Sequence, residues 1–148
     1  MNNKILIEIP RGSRLKYQSI LSNEGGDPLF KLDRVVPLDY PEAYGSIIGT
    51  TAQDGDPQDV FIISDEPLHT GKVLEKYSLR QVGKFTLKDG GVADDKEVYY
   101  MGEWDWNSNL RVRHSLECIK SFLLNYKRTR EGTNPISEVE LQTYNTYS

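Results

Sequence analysis

Residues 54–63 read Asp-Gly-Asp-Pro-Gln-Asp-Val-Phe-Ile-Ile, an acidic turn followed at once by an apolar run. Gly55 and Pro57 restrict the backbone of the turn, and the run from Val60 to Ile63 has the length and composition of a buried strand. Three carboxylates within six residues repel one another unless a cation neutralises them, and Mg²⁺ prefers such oxygen ligands. A solvated turn is the alternative, but it needs only one Asx residue. The stretch therefore indicates a metal site at the start of a strand.

Composition narrows the classes of protein that the chain can belong to. Its 148 residues predict one domain spanning 1–148, and a net charge of -4 argues against a nonspecific nucleic-acid binder. No apolar run approaches the ~20 residues that cross a bilayer, so no membrane span is expected. The single cysteine, Cys118, cannot form an internal disulfide, which makes the cytoplasm the default location. Two histidines, His69 and His114, are too few for a typical Cys/His zinc site.

Strand patterns precede one late helical pattern. Strands are predicted over residues 4–9, 15–21, 29–36, 60–63, 72–85 and 97–101, with a bulge at Gly83. A helix is predicted from about Leu110 to Lys127, capped by Asn107, Ser108 or Asn109. Its apolar face comprises Val112, Leu116, Ile119, Leu123 and Tyr126. A polar tail follows from about residue 132. This order predicts a mainly β (α+β) fold, a small closed barrel with one C-terminal helix packed against it.

The order of charged and aromatic residues resembles the soluble family I inorganic pyrophosphatases over roughly residues 5–128. The Asp-Gly-Asp-Pro-x-Asp turn is the most specific part of the match. The remaining matched positions are Ile5–Pro10, Lys16-Tyr17, Phe30-x-x-Asp33-Arg34, Tyr40-Pro41-x-x-Tyr44-Gly45, Gly83, Asp89, Asp94-Asp95-Lys96 and Tyr126-Lys127. These outlying positions are weak singly and strong as an ordered set.

This resemblance implies a five-stranded closed barrel of the OB type that hydrolyses pyrophosphate to two orthophosphates with several Mg²⁺ ions, Mn²⁺ being a substitute. Asp54, Asp59 and Asp94 would hold the first metal, and Asp59 would be shared with the second. A water between those ions would attack, with Asp56 as the general base. Two further metal positions would involve Asp89 with Asp94, and Glu8 through waters. The residues implied to bind the two phosphates are Lys16, Arg34, Tyr44, Lys96, Tyr126 and Lys127.

Several positions depart from the family pattern. Gln18 replaces a glutamate of the outer metal site, which predicts weaker occupancy of the fourth metal with hydrolysis retained. Gln58 replaces an apolar residue within the acidic turn, so we expect that turn to be more loosely anchored to the core. Ala43 and Ser46 replace larger residues, which predicts a more open pocket wall. Bacterial relatives are commonly hexamers, which favours a homo-oligomer. Ser121 and Asn125 stand where those relatives tend to carry histidines, and the oligomeric state therefore stays open.

Other functions remain compatible with the sequence. The same fold could prefer another phosphoanhydride, such as short polyphosphate or a nucleotide, through the altered pocket wall. An OB-type module for single-stranded nucleic acid would use Tyr40, Tyr44, Trp104 and Trp106 as stacking platforms, but it would lack a basic groove. An inactive interaction protein is disfavoured because every residue proposed for the bridging-metal centre is present.

Overall fold

The computed structural model describes residues 3–20, 29–49, 57–89, 92–131 and 139–144. Within them lie one long helix, α1 (Trp106–Glu131), a 3-10 turn over Lys76–Ser78, and the strands. The strands are β1 (Lys4–Ile9), β2 (Leu15–Ile20), β3 (Leu29–Val35), β4 (Ala43–Ile47), β5 (Asp59–Ser64), β6 (Val73–Glu75), β7 (Arg80–Asp89), β8 (Val92–Ala93), β9 (Lys96–Met101) and β10 (Val139–Thr143). The prediction of a mainly β fold with one helix is confirmed. No helix of the described ranges is long and apolar enough to cross a membrane.

The main sheet is built around the parallel pair β5 and β9. Its strand order is β10-β7-β9-β5-β4-β1-β6, and every other pair along it is antiparallel. All four residues from Val60 to Ile63 have no exposed surface, as expected for a parallel strand covered on both faces. The apolar run that follows the acidic turn is therefore a central strand.

The predicted closed barrel of five strands is not confirmed. In the parts of the chain that the structure describes, the sheet is an open path that ends at β10 and β6, while β2 and β3 pair in a separate sheet. The strand count also differs because no strand was predicted between residues 36 and 60, where β4 lies. Its Gly45 lies so close to β1 that an added Cβ would collide with the carbonyl oxygen of Leu6. A glycine within five residues hides a strand from a pattern search, although here it permits close pairing.

Alternate residues of β5 face two different hydrophobic cores. Phe61 and Ile63 belong to the core between the sheet and α1, whereas Val60 and Ile62 belong to the core on the other face of the sheet. The predicted apolar helix positions Val112, Leu116, Ile119 and Leu123 all lie in the first core. The helical periodicity thus identified the packed face of α1 correctly.

The helix begins four residues earlier than predicted. The Ser108 backbone N–H donates to Asp105 Oδ1 at 2.9 Å, and the Asp105 N–H donates to Ser108 Oγ at 3.2 Å. Asp105 is therefore the N-cap, in a reciprocal arrangement like a capping box, and the predicted caps Asn107, Ser108 and Asn109 are wrong. The hydrogen bond from the Ser108 N–H holds the pKa of the Asp105 carboxyl below its ordinary value. The signal was in the sequence as Asp-x-x-Ser directly before the helix.

Two further segments differ from their sequence interpretation. The strand predicted over 72–85 is divided into β6, the 3-10 turn and β7, and a register shift between Gln81 and Gly83 confirms the predicted bulge. Part of the predicted polar tail forms β10, which pairs with β7. The buried Val139 and the partly buried Leu141 pack against the first core, which explains why this short polar segment is ordered into the sheet.

A buried ion pair joins α1 to the start of β4. Both terminal nitrogens of Arg111 donate to the Glu42 carboxylate, at 2.7 and 3.2 Å, and the Ser115 hydroxyl also donates to it. Glu42 is only 3% exposed, and Arg111 additionally donates to Asp65. Hydrogen bonding to Glu42 raises the pKa of Arg111 above its ordinary value. The packed face of α1 is thus fixed to the sheet by charge as well as by apolar contact.

Replacing Arg111 with methionine should destabilise the fold strongly. Methionine keeps an unbranched side chain but removes the guanidinium group that pairs with the buried Glu42 carboxylate. Of the partners described for Glu42, the Ser115 hydroxyl then remains. Breaking a buried pair in this way costs about 3–5 kcal/mol, and urea denaturation should show a loss of unfolding free energy near the lower value. The double variant Glu42→Gln, Arg111→Met removes both charges and should recover part of the loss.

Arg113→Met is the matched control, because Arg113 is exposed on the same helix. Its effect should stay within about 0.5 kcal/mol, as for most surface substitutions. Equal urea midpoints for Arg111→Met and Arg113→Met would show that the ion pair contributes nothing to stability.

Candidate active site

The starts of two parallel strands bring together residues that lie far apart in the sequence. Asp59 is the first residue of β5 and pairs in register with Lys96, the first residue of β9. Lys96 Nζ lies 2.6 Å from Asp59 Oδ2 and 3.0 Å from Asp94 Oδ1. It also donates to the Tyr44 hydroxyl at 2.8 Å. Four of the predicted site residues therefore meet at one edge of the sheet, a group that we call the Lys96 centre (Tyr44, Asp59, Asp94, Lys96).

Burial and charge fix the protonation states within the Lys96 centre. Burial alone would lower the pKa of Lys96, but the charges of Asp59 and Asp94 and the hydrogen bonds to them outweigh it, so this pKa is raised. The pKa of Tyr44 is raised well above 10.0, first by burial and then by the charge of Asp59. At neutral pH the raised pKa values leave Lys96 as an ammonium group and Tyr44 as a neutral phenol.

Aromatic packing holds Tyr44 in place. Its ring lies 4.8 Å from that of Phe61 in an edge-on contact and 5.3 Å from that of Tyr40. Tyr40 in turn contacts Phe122 of α1, with ring centroids 4.7 Å apart. Such contacts add about 0.5–1.5 kcal/mol per pair beyond area burial. The Tyr44 hydroxyl is thus presented to Lys96 by a rigid apolar wall rather than by a loop.

The donor chemistry of the centre fits a hard divalent cation in part. Asp59 and Asp94 supply carboxylate oxygens, and with the one ammonium group between them the cluster keeps an excess of negative charge. Asp54 and Asp56 lie outside the described residues, and the side chain of Asp89 at the end of β7 is not described either. Over the described residues, no group of three or more His, Cys, Asp or Glu side chains converges to hold a metal. The complete metal set therefore stays a prediction.

Two residues predicted to bind phosphate lie opposite each other on the small sheet formed by β2 and β3. Lys16 of β2 and Arg34 of β3 are partners in register, and both side chains are half-buried. Directly opposed residues share one face of an antiparallel pair, so this face carries two cations side by side. Adjacent cations on one face form a suitable surface for a multivalent anion.

The remaining predicted residues are placed only in part. Glu8 is half-buried on β1, at a register irregularity between Ile7 and Ile9 where β1 pairs with β4. Its carbonyl oxygen accepts a hydrogen bond from the Thr70 hydroxyl. Tyr126 and Lys127 lie in the last turns of α1, but their side chains are outside the described part of the structure. Their roles stay predictions.

Gln58 makes two side-chain hydrogen bonds that the sequence did not predict. Its side-chain Nε2 donates to the carbonyl oxygens of Asp95 and Asp59, at 2.8 and 3.1 Å. The amide thus ties the start of β5 to the segment before β9, a link that was not foreseen from the sequence; residues 54–56 of the turn lie outside the described part of the chain. No local pattern could have revealed it, because the partner Asp95 is 37 residues away.

Comparisons with known proteins add an independent finding. A family model described as "Inorganic pyrophosphatase" matches residues 5–146 of the chain. A protein from Halalkalibacterium halodurans named "Inorganic pyrophosphatase" is 40% identical over 128 residues, which cover 82% of this chain and 74% of that protein.

Solved structures give the same result. A crystal structure of inorganic pyrophosphatase from Thermus thermophilus is similar with a TM-score of 0.68 and 31% identity, over 95% of this chain and 79% of that one. A second, from Neisseria gonorrhoeae, has a TM-score of 0.71 and 29% identity, over 92% of this chain and 80% of that one. Both similarities extend over nearly the whole chain.

Proposed function

The chain belongs to the inorganic pyrophosphatase family, and on that premise we propose that it hydrolyses pyrophosphate to two orthophosphates. The observation that carries this proposal is the Lys96 centre, in which a buried ammonium group, a phenol and two carboxylates meet at the starts of β5 and β9. Phosphoryl transfer is catalysed mainly by positioning and by electrostatic stabilisation, and this centre supplies groups for both.

Cationic and phenolic groups would hold the substrate. Lys96 keeps its charge because its pKa is raised, and Lys16 and Arg34 add two cations on the face of the small sheet. The Tyr44 phenol accepts a hydrogen bond from Lys96 and keeps its own proton for donation, since its pKa is also raised. We assign the phosphate oxygens to these groups, together with Tyr126 and Lys127 at the end of α1.

Carboxylates would hold the metal and move the proton. Asp54, Asp59, Asp89, Asp94 and Glu8 are the proposed ligands. Mg²⁺, or Mn²⁺ in its place, would neutralise the phosphate charge and lower the pKa of coordinated water. Asp56 would accept a proton from the attacking water while the oxygen of that water forms a bond to phosphorus. The bridging P–O bond then breaks and the second orthophosphate leaves with the electron pair.

The alternative substrates receive less support. The more open pocket wall was expected partly from Ala43, but this side chain is buried in the second core and pairs with Ile62. A preference for polyphosphate or nucleotides therefore loses part of its basis. The hypothesis of a nucleic-acid-binding module is weakened further, because Tyr40 and Tyr44 are buried among aromatic rings rather than exposed for stacking on bases.

Three further features are expected from the family and stay predictions for this chain: a closed OB-type barrel, a cytoplasmic location and a homo-oligomer. Sedimentation of the full chain would test the last of these.

A phosphate-release assay tests the proposed function and its metal dependence together. We expect rapid release from pyrophosphate with millimolar Mg²⁺, return to the uncatalysed level on addition of excess chelator, and recovery when Mg²⁺ is restored. Release from tripolyphosphate and ATP should be at least about tenfold slower, a difference of about 1.4 kcal/mol in transition-state binding. Release that ignores the chelator, or that is faster with ATP than with pyrophosphate, would contradict the proposal.

A further inference from the structure

We propose that Gln58 is a positioning residue that sets the separation of the two metal-binding carboxylates Asp59 and Asp94. This role rests on the proposed function, because it concerns the metal site of that reaction. The two hydrogen bonds described for the Gln58 side chain both go to backbone carbonyl oxygens. It acts through the backbone of the two segments that carry the carboxylates.

The contacts of the Gln58 amide join the two segments directly. One bond goes to the carbonyl oxygen of Asp95, the residue after Asp94, and the other goes to the carbonyl oxygen of Asp59. Both acceptors are carbonyl oxygens, so only the NH₂ end of the amide can satisfy them, and each of its two protons has a partner. The side-chain orientation therefore follows from chemistry and not from an arbitrary choice of amide rotamer.

The bridge lies where the regular ladder between the two strands stops. The parallel pairing of β5 and β9 begins with Asp59 opposite Lys96, so Gln58 and Asp95, the residues directly before them, are not paired in the ladder. Asp94 and Asp95 lie just before that start on one side, and Gln58 lies just before it on the other. Gln58 thus extends the connection between the strands by one link, at the level of the predicted metal ligands.

Each bridged segment is also fastened to the strand on its far side. The Ile47 N–H of β4 donates to the Gln58 carbonyl oxygen at 2.9 Å, and the Asp94 N–H donates to the Leu87 carbonyl oxygen of β7 at 2.8 Å. Lys84 of β7 forms an ion pair with Asp95 at 3.1 Å. The Gln58 amide adds a direct link between the backbones of these two fastened segments, beside the link that Lys96 makes between their carboxylates.

This spacing matters because Asp59 and Asp94 repel each other when no cation lies between them. Lys96 balances part of that repulsion, and a bound divalent ion must find both carboxylates at a distance that its short oxygen bonds allow. Outer groups that orient metal ligands typically change metal affinity by about 10–100-fold when they are replaced. An apolar side chain at position 58 could fill the space but could not donate to either carbonyl oxygen.

Gln58→Met tests this role, because methionine keeps the length of the side chain and removes both donors. Mn²⁺ alone, titrated into the substrate-free full chain and followed by electron paramagnetic resonance, reports binding without any turnover. We expect the tightest Mn²⁺ dissociation constant to rise about tenfold. The Mg²⁺ concentration for half-maximal activity should rise in parallel, while kcat at saturating Mg²⁺ should fall by less than the metal affinity does.

Gln142→Met is the matched control, since Gln142 is exposed on β10 at the edge of the sheet. Its Mn²⁺ dissociation constant should equal that of the unchanged chain. The thermal midpoint of Gln58→Met in chelator should stay within about 3 °C of the unchanged chain, which corresponds to a small stability change for a chain of this size. A larger drop in that midpoint with unaltered Mn²⁺ binding would mean a merely structural role and would overturn the proposal.

Failure of this inference can be told apart from failure of the proposed function. An unchanged Mn²⁺ dissociation constant in Gln58→Met, in a chain that still hydrolyses pyrophosphate, refutes the role of Gln58 alone. A chain that releases no phosphate but loses Mn²⁺ affinity on the same substitution would refute the proposed reaction and keep the role of Gln58 in metal binding.

Discussion

Lys96→Met is expected to lower kcat/KM for pyrophosphate by about 10²–10³-fold, the usual effect of removing one group that stabilises developing charge in a water-poor site. The ammonium group of Lys96 is buried and donates to Tyr44, Asp59 and Asp94. Methionine fills a similar volume without any charge. The variant should therefore lose both the proposed contact to a phosphate oxygen and the hydrogen bond from Lys96 to the Tyr44 phenol. Initial-rate kinetics at saturating Mg²⁺ measures the loss.

Lys96→Met should also increase the stabilisation of the fold by bound metal, although it lowers activity. Without the ammonium group, Asp59 and Asp94 lose their described cationic partner, and their mutual repulsion rises. We expect a lower thermal midpoint in chelator and a larger gain on adding Mg²⁺ than in the unchanged chain, because the ion then supplies the missing positive charge. This readout stays informative even if the variant is too slow to assay.

Lys72→Met is the appropriate control for charge alone, since Lys72 is exposed on the surface. Its kcat/KM should change by less than about twofold, as for other surface substitutions. If Lys96→Met kept kcat/KM within the range of this control, Lys96 would have to be removed from the proposed phosphate site.

The second large effect is expected for Asp56→Asn, with a loss of about 10²–10⁴-fold in kcat, the range for removing a general base. Asparagine matches aspartate in size and cannot accept the proton of the attacking water. Folding and Mn²⁺ binding should survive, because Asp54, Asp59 and Asp94 are the residues assigned to the first metal. The acid limb of the pH–rate profile should flatten in the variant, because the group whose protonation limits the rate is gone.

Asp65→Asn provides the control for losing one carboxylate. Asp65 follows the opposite end of β5 from Asp59, and its side chain is 75% exposed. We expect turnover within about twofold of the unchanged chain. Near-normal turnover in Asp56→Asn itself would mean that another group accepts the proton, and the assigned role would be wrong.

The sequence alone was sufficient to predict those elements whose structure depends on a local hydrophobic pattern. The apolar run after the acidic turn identified β5, because a strand covered on both faces must be apolar at every position. The 3.6-residue spacing of Val112, Leu116, Ile119 and Leu123 identified the packed face of α1 for the same reason. The ordered charged residues identified the family, and the family match over residues 5–146 agrees with it.

Sequence reasoning failed where a contact depends on distant parts of the chain. β4 was missed because Gly45 disguises a strand whose closeness to β1 only pairing reveals. The Glu42–Arg111 ion pair joins residues 69 positions apart, and neither has a local reason to be buried. Gln58 was taken for a weak point, although its amide finds two carbonyl acceptors once β5 and β9 lie side by side.

The sequence by itself determined the chemical groups, the central strand and the helix face, because composition and periodicity act over a few neighbouring residues. Only the tertiary structure decided that Asp59 and Lys96 stand opposite each other, 37 residues apart. Parallel strands cannot be joined by a tight turn, so their register is set by burial of two cores across a long connection and not by any local signal. The geometry of the Lys96 centre is therefore a consequence of packing, whereas its chemistry is a consequence of sequence.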